Sequence, residues 1–397
     1  MNINEPLTLL GGMSAADFMR RVWQRKPLLI RQAIPGFKPP VSIANVKKLA
    51  RRDDVESRLI WREDGDWQME NGPFARLPKV AEPDWTLLVQ SVDLHDDAAM
   101  ALLQQFRFIP DARLDDVMIS VASDGGGVGP HFDSYDVFLL QASGRRRWRY
   151  GRQKDLSLQP DLPLKILDNF TPEHDVILEP GDMLYLPPQA AHDGVAVGDD
   201  CMTISIGFRA PTQAILARGL LEAAADQAMA RVGLLGGPYG EPALPGPKMD
   251  RLYRDPGQPA VETPAALPDD LVQATLDTLA KVRFDDALAS RFLGCWLTEP
   301  SNLAVFEPPA EPVMDLVEAW PASGYLELDR RTRMLYRGKQ LFINGETAMV
   351  AAHPALRALA DARQLQCNDP RCSKLGEDER DCLTDWLDAG WLHYRPN

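Results

Sequence analysis

The sequence predicts an α+β protein of several domains, with a core of many short β-strands followed by helices and then by a small mixed domain. At 397 residues the chain is longer than one average domain. Between Val117 and about Ala210, short apolar runs alternate with Gly and Pro, which is typical of a β-sandwich or barrel. Beyond that stretch the apolar residues recur at helical spacing. The predicted domains are residues 1–210, 211–305 and 306–397.

Composition and charge exclude several classes of protein. The formal net charge of −14 argues against bulk nucleic-acid binding, because phosphate-directed binding needs clustered Lys and Arg. The first residues do not have the basic start and apolar stretch of a signal peptide, and no apolar run reaches the ~18 residues of a membrane-spanning helix. These features predict a cytoplasmic protein.

The five cysteines are odd in number and sparse, which favours a reducing compartment over a disulfide framework. Cys367, Cys372 and Cys382 cluster near the C-terminus together with His393. Their spacing lacks the paired short knuckles of a structural zinc site. We therefore expect packed thiols there rather than zinc ligands.

The chain is expected to open with a helix and then a strand. Ser14 is a candidate cap for a helix that continues through Phe18 to Trp23, and the strand follows at Leu28–Ile30. The short β-like runs of the predicted core come later and are VMISVA, DVFLLQ, RRRWRY, DVILEPGD, MLYLPP, VAVG and MTISIGF.

The middle region is predicted to be helical. The stretch Gly233–Pro268 holds eight prolines and six glycines, too many for regular structure, and separates a first helix from helices that begin at Asp269 and cover Phe284–Leu297. These helices are a candidate self-association module. The apolar stripe of the first helix comprises Ile215, Leu216, Leu220, Ala223 and Ala224.

The last region combines helices with a small ribbon, a mixture that resembles a winged helix-turn-helix. EPPAEP at Glu307–Pro312 marks the preceding break. Because Asp and Glu are abundant in the last helix and no basic stripe accompanies it, a packing or protein-contact role is favoured over DNA binding. The predicted elements are helices at Val313–Trp320, Pro354–Arg363 and Glu377–Ala389 and strands at Tyr325–Leu328, Arg333–Tyr336 and Gln340–Ile343.

A possible metal site lies within the β-rich region. His131 and Asp133 are two residues apart, so on a strand their side chains point to the same face. His192 follows later, in the stretch LEPGDMLYLPPQAAHDG. Two histidines and one carboxylate form the facial triad that leaves open positions on Fe(II), as an oxygenase requires. A lone His-x-Asp also occurs often by chance, so further features are needed.

An arginine run supplies such a feature. The strand after Asp133 is predicted to turn at Ala142-Ser143-Gly144 and to return as Arg145–Tyr150, which forms a hairpin. Alternation then separates two sets of side chains. One set is Arg145, Arg147 and Arg149, predicted to be solvated; the other is Arg146, Trp148 and Tyr150, predicted to face inward.

An inward arginine needs an anion, because an unpaired buried charge is costly. A dicarboxylate cosubstrate that chelates the iron could extend its far carboxylate to Arg146.

With these motifs, GGGVGPHFDSYDVFLLQASGRRRWRYG, EPGDMLYLPPQAAHDG and SIGFRAP, the chain resembles the JmjC-type 2-oxoglutarate oxygenases of the cupin superfamily. In particular it resembles the bacterial ribosomal oxygenases that hydroxylate an arginine of ribosomal protein L-sixteen. FMRRVWQRKPLLIRQAI and DVESRLI are also similar. The resemblance implies a double-stranded β-helix (cupin, jelly-roll) core in residues 1–210, a helical dimerisation region in 211–305 and a winged-helix-like domain in 306–397.

The resemblance also implies roles for individual residues. For Asp115 a role in substrate binding is implied, and the alternative is that Asp115 or Asp116 only caps the entry to the strand VMISVA. The implied set is Fe(II) on His131, Asp133 and His192, the far carboxylate of 2-oxoglutarate on Arg146, the cosubstrate near Ser120, and the substrate arginine on Asp115 and Ser205.

The sequence departs from the cupin pattern at Gln189, where Gly is common in the turn after the two prolines. Asp193, next to His192, could order the site or simply face solvent. The implied activity is a dioxygenase that uses Fe(II), 2-oxoglutarate and dioxygen on a basic protein, which the acidic net charge would attract. Hydroxylation of histidine or another residue and a non-catalytic regulatory cupin are the alternatives.

Overall fold

The structure, a computed structural model, describes residues 2–79, 81–234, 236–310 and 313–396. It divides into two compact units, Met1–Ala210 and Pro211–Asn397. A further division of the second unit after residue 305 stays a prediction, and the last two residues of the predicted break at Glu307–Pro312 lie outside the described residues.

The first unit opens as predicted with a capped helix and a short strand. The Ser14 hydroxyl accepts a hydrogen bond from the backbone N–H of Asp17, and the helix ends at Arg21, two residues before Trp23. The helices are α1 (Ala15–Arg21), α2 (Ile43–Leu49) and α3 (Asp97–Gln104). The strands are β1 (Leu28–Ile30), β2 (Ser57–Glu63), β3 (Asp66–Asn71), β4 (Trp85–Val89), β5 (Leu114–Ala122), β6 (Val137–Gly151), β7 (His174–Leu178), β8 (Met183–Leu186) and β9 (Ala191–Phe208).

All nine strands belong to one antiparallel sheet, in the order β1-β8-β6-β9-β5-β4-β2-β3, with β7 paired to β6. This sheet confirms the predicted β-core. Both of its faces are buried at β6: Phe138 and Leu140 pack in the main core with the helices, whereas Val137 and Leu139 pack in a second apolar cluster with Trp148 and others. We call the face that carries this second cluster the inner face.

The predicted hairpin that leads into the arginine run is wrong. β6 continues through Ala142-Ser143-Gly144 as a single strand of 15 residues, paired along most of its length with β9. Gly144 has φ +58, and a Cβ there would come within 2.9 Å of the Cys201 backbone. The glycine therefore permits a bulge in a continuous strand, since the pairing register shifts between Gln141 and Arg145. VAVG and MTISIGF likewise belong to one strand, β9.

This bulge decides which arginine points inward. Before it, the odd-numbered Val137 and Leu139 lie on the inner face; after it, the even-numbered Trp148 and Tyr150 do. Strict alternation without a bulge would give the inner face to Arg147 instead. The extra residue thus sets the orientation of everything that follows on β6.

The second unit contains five helices and six strands among its described residues. Its predicted ribbon is observed within a residue of the expected bounds. The helices are α4 (Gln213–Ala230), α5 (Asp269–Leu279), α6 (Asp286–Thr298), α7 (Pro354–Ala362) and α8 (Glu377–Asp388). The strands are β10 (Tyr325–Leu328), β11 (Met334–Arg337), β12 (Gln340–Ile343), β13 (Glu346–Thr347), β14 (Gln364–Gln366) and β15 (Leu392–Arg395).

The helix predicted at Val313–Trp320 is wrong, because this segment forms only a turn. The Asp315 carboxylate accepts hydrogen bonds from the backbone N–H groups of Val317 and Glu318, as a helix cap would. Pro321 follows too soon for a second turn, since the residue before a proline is pushed out of the helical region.

The cysteines near the C-terminus pack in the second unit as thiols. Cys367 and Cys372 lie in its apolar core, and Cys382 packs against that core. His393 instead contacts Asp329, with 3.0 Å between its Nε2 and a carboxylate oxygen. None of the helices in the described part of the chain has the length and apolar character to cross a membrane.

Candidate metal centre

His131, Asp133 and His192 converge, with their ligand atoms within 4.8 Å of one another. The prediction that a strand carries the first two is wrong: both lie in the loop between β5 and β6. An isolated bridge to the start of β9 aligns them, because the backbones of His131 and His192 exchange two hydrogen bonds of 2.8 Å. Gln189 also donates its backbone N–H to the Asp133 carbonyl at 2.7 Å.

Both imidazoles are oriented by backbone carbonyls. His131 Nδ1 lies 2.8 Å from the Gly129 oxygen, and His192 Nδ1 lies 2.9 Å from the Ala190 oxygen. If each Nδ1 carries the proton and donates it, each Nε2 has a lone pair for a ligand. His192 Nε2 lies 3.7 Å from the Asp133 carboxylate, which is too long for a hydrogen bond but suits two ligands of one ion.

The electrostatics favour neutral imidazole at this site. Burial, and next the neighbouring His131, lower the pKa of His192 to about 4. His192 is therefore neutral at physiological pH, as a metal ligand must be. Two imidazole nitrogens and one carboxylate oxygen are the donor set of Fe(II) oxygenases. Within the described ranges, no other group of three such side chains converges in this way.

Arg146 points inward, as predicted, and is only 3% exposed. Its Nη1 donates to the Gly194 carbonyl at 3.2 Å, but Nε and Nη2 find no hydrogen-bond partner among the described residues. Of the neighbouring arginines, Arg145 is exposed, Arg147 pairs with Asp175 and Arg149 pairs with Asp193. A buried guanidinium with two unsatisfied N–H groups fits a carboxylate ligand.

Pairing between β6 and β9 places the clamp and the metal ligands on one surface. Tyr150 lies opposite His192, Trp148 opposite Gly194 and Arg146 opposite Ala196. Residues directly opposite each other share a face, so these side chains all belong to the inner face. At Gly194 a Cβ would come within 2.6 Å of the Trp148 ring, so only glycine fits beneath the indole.

The structure places the two predicted serines on the inner face as well. Ser120 and Ser205 are buried. Ser205 on β9 pairs with Leu139 on β6, whose side chain lies on the inner face, and with Met118 on β5, which is two residues before Ser120. Ser120 donates to the Thr203 carbonyl at 3.4 Å.

Asp115 lies at the exposed start of β5 and pairs with Arg209 at 3.2 Å. Its neighbour Asp116 accepts hydrogen bonds from the backbone and hydroxyl of Ser91. Neither contact tests the roles that the resemblance implies for Asp115.

Sequence reasoning missed two residues that support the ligand loop. Tyr135 is 40% exposed, and the pKa of its hydroxyl is raised by partial desolvation and next by the nearby Asp133 carboxylate. Asp136 is fully buried and accepts hydrogen bonds from Tyr185 at 2.6 Å and from Gln24 at 2.8 Å. Both residues lie in the stretch DSYD, which begins two residues after His131, but the partners of Asp136 lie far away in the sequence.

Comparisons with known proteins agree with this geometry. A family model described as JmjC domain matches residues 101–216, and one described as ROXA-like winged helix matches residues 281–393. The chain is 36% identical over 352 residues to ribosomal protein uL16 3-hydroxylase of Escherichia coli (strain K12), covering 87% of this chain and 88% of that protein.

Two further similarities extend over nearly the whole chain. It is 30% identical to "Probable ribosomal oxygenase" of Haemophilus influenzae, over 94% of each protein. Among solved structures, it resembles YcfD, a ribosomal oxygenase from Escherichia coli in complex with cobalt and 2-oxoglutarate. That match has a TM-score of 0.75 and 31% identity, and it covers 96% of this chain and 97% of the other.

Proposed function

Because this chain belongs to the JmjC-domain ribosomal oxygenases, with a cupin core and a C-terminal winged helix, we propose that it is an Fe(II)- and 2-oxoglutarate-dependent dioxygenase. Its proposed substrate is an arginine side chain of ribosomal protein L-sixteen (uL16) of the large subunit. The observation that carries the proposal is the placement of the His131, Asp133 and His192 cluster and the unsatisfied Arg146 on one face.

The three clustered side chains would hold Fe(II) through two imidazole nitrogens and one carboxylate. When bound, the iron supplies the activation of dioxygen, coupled to conversion of 2-oxoglutarate to succinate and CO2, with one oxygen atom delivered to the substrate. The contribution of the chain is orientation, because Gly129 and Ala190 carbonyls fix the imidazoles.

Arg146 would bind the far carboxylate of 2-oxoglutarate and so orient the cosubstrate relative to the metal ligands. Leu178, opposite Arg146 on β7, and Trp148, two residues away on β6, belong to the buried apolar cluster of the inner face, which excludes water and strengthens the ion pair. Ser120, also on the inner face, is proposed as a further cosubstrate contact.

Support for the substrate comes from the relatives and from charge. The uL16 3-hydroxylase is similar over 87% of this chain. The net charge of −14 favours a basic partner. Asp115 and Ser205 are proposed to contact the substrate arginine, in which case the guanidinium would share the Asp115 carboxylate with Arg209.

The test is incubation of the purified protein with Fe(II), 2-oxoglutarate and peptides that cover L-sixteen. We expect one arginine to gain the mass of one oxygen atom, with an equal amount of succinate, and no gain with Asp133→Ala. A gain on histidine instead would overturn the arginine assignment. No gain on any peptide and no succinate would refute the enzyme and favour a non-catalytic regulatory cupin.

Helix α5 supports the proposed homodimer. None of its residues is buried, and one side of the helix presents apolar side chains to solvent. They are Leu271, Val272, Leu276 and Leu279. If a second copy covers this face, Leu276→Glu should convert the dimer to a monomer in light scattering, whereas the exposed Gln273→Glu should not.

A ribosomal protein substrate also supports the cytoplasm as the location.

A further inference from the structure

We propose that the indole N–H of Trp148 is an additional donor to the far carboxylate of the cosubstrate, and that Trp148 and Arg146 together select a 2-oxo dicarboxylate over a 2-oxo monocarboxylate. This inference rests on the proposed function and deepens it. It depends on three buried donors that the described residues do not satisfy: Nε and Nη2 of Arg146 and Nε1 of Trp148.

The pattern of bonding at Arg146 identifies the kind of acceptor. The Gly194 carbonyl accepts a hydrogen bond from Nη1, so the unsatisfied atoms are the adjacent Nε and Nη2. These two N–H groups lie side by side along one edge of the guanidinium and donate in parallel. That edge matches the two oxygens of a carboxylate.

Trp148 lies beside the Arg146 guanidinium. It is two residues from Arg146 on β6, only 5% exposed, and its ring centroid lies 5.8 Å from the Arg146 guanidinium carbon. The benzo edge of the indole is already in contact with Gly194. A carboxylate held by two bonds from Arg146 still has lone pairs that can accept a third donor, and Nε1 is such a donor.

Two other tryptophans of the chain donate their indole N–H groups to backbone carbonyls. Trp85 donates to the Lys79 carbonyl at 3.1 Å, and Trp320 donates to the Cys367 carbonyl at 2.8 Å. A buried indole N–H normally finds a partner, because its desolvation is otherwise uncompensated. At Trp148 none of the described residues provides one.

The position of Trp148 along the strand agrees with this role. It lies opposite Gly194, between the pair Tyr150 and His192 on one side and the pair Arg146 and Ala196 on the other. Its ring centroid is 5.8 Å from that of His192. A molecule that reaches from the metal ligands to the Arg146 guanidinium therefore passes along the indole.

The experiment compares two ligands on the Zn(II)-loaded protein, which binds but does not turn over. 2-Oxoglutarate is the first; 2-oxovalerate, which has the same chain length but ends in a methyl group, is the second. Trp148→Phe keeps an aromatic ring and removes the N–H. We expect it to weaken binding of 2-oxoglutarate about tenfold and to leave 2-oxovalerate almost unchanged.

Trp85→Phe is the matched control, because it removes a buried indole N–H that the protein itself satisfies. It should change neither affinity. Equal losses for both ligands in Trp148→Phe would reduce Trp148 to a packing role and overturn the inference, as would no loss for either. If the wild-type protein itself does not distinguish the two ligands, the Arg146 clamp of the proposed function fails instead.

A second measurement on the wild-type protein applies even if Trp148→Phe does not fold. With ¹⁵N-labelled indoles, the resonance of Trp148 is identified as the one that Mn(II) at the metal ligands broadens most, since this ring lies beside His192. With Zn(II) we expect that resonance to move downfield on addition of 2-oxoglutarate and not of 2-oxovalerate. The same response to both ligands overturns the proposal.

Discussion

The chain places a histidine beside a buried or half-buried aspartate in each of its two units, and the two pairs differ in one respect. In the second unit, Asp329 accepts from His393 Nε2 at 3.0 Å, from the Arg331 backbone at 2.9 Å and from its side chain at 3.3 Å. In the first unit, His192 and Asp133 are 3.7 Å apart and do not bond each other.

The difference separates a structural pair from a functional one. Around Asp329 the protein completes the hydrogen bonding of the carboxylate from its own groups. Around Asp133 the chain orients two imidazoles so that their Nε2 atoms converge with the carboxylate, and it satisfies only their far sides, at Gly129 and Ala190. A convergent cluster whose donors and acceptors are left for an external partner is the better indicator of a binding site.

The largest difference is expected between two alanine variants, one at His131 in the first unit and one at His393 in the second. His131→Ala removes a proposed metal ligand, so metal binding and hydroxylation should be lost. His393→Ala should retain both, because its histidine only bonds Asp329. Equilibrium dialysis of the metal and peptide hydroxylation would measure this. Full activity in His131→Ala would disprove the metal assignment, and loss in His393→Ala would contradict the comparison.

The next effect concerns the clamp. Arg146→Ala removes two charge-assisted hydrogen bonds from the proposed far carboxylate, so the 2-oxoglutarate concentration required for half-maximal rate should rise about a hundredfold. Arg147→Ala, on the exposed face of the same strand, should change it little. Succinate formation against 2-oxoglutarate concentration provides the measurement. Similar values in the two variants would remove Arg146 from the site.

In the second unit the expected effect is on stability. His393→Ala should lower the free energy of unfolding by about 1–3 kcal/mol at neutral pH, since it deprives the buried Asp329 of a donor. Although burial alone would raise the pKa of Asp329, the bonds from His393 and Arg331 lower it below 3.8. The contribution is therefore present above pH 3.8 and is lost as the pH falls through the native value. Urea unfolding of both proteins at neutral pH and at a pH where Asp329 is protonated tests this, and a difference that persists once Asp329 is protonated would contradict it.

The smallest effect is expected at Gln189, which has φ +64. Gln189→Gly relieves the left-handed backbone but increases the freedom of the unfolded chain, so the two terms nearly cancel. We expect a change in unfolding free energy of less than about 1 kcal/mol and unaltered metal affinity. A large loss of metal affinity would show that the side chain, and not only its backbone bond to Asp133, supports the site.

Much of the site follows from local pattern. The ligand types at His131, Asp133 and His192, and the inward orientation of Arg146 deduced from its aromatic neighbours, depend only on short stretches of sequence. The capped helix α1 and the ribbon strands β10 and β12 are likewise local, because caps and alternation act over a few residues.

What could not be predicted depends on distant partners. Ala142-Ser143-Gly144 has the composition of a turn, and only the approach of Cys201 and the pairing with β9 make it a bulge. Asp133 lies off the strand because its loop is fixed by the bridge between His131 and His192. The unsatisfied state of Trp148 is visible only when every potential acceptor around it has a position.

Because β6 continues without a register shift from Arg146 to Tyr150 and pairs there with β9, strand register fixes the distance between the backbones of His192 and Arg146. Tyr150, opposite His192, and Arg146 are four residues apart, which corresponds to about 13 Å between their backbones in an extended strand. No flexible loop lies between them that could lengthen or shorten this separation. Selection for the length of a bridging molecule is therefore a property of strand register, and it can change only in steps of whole residues.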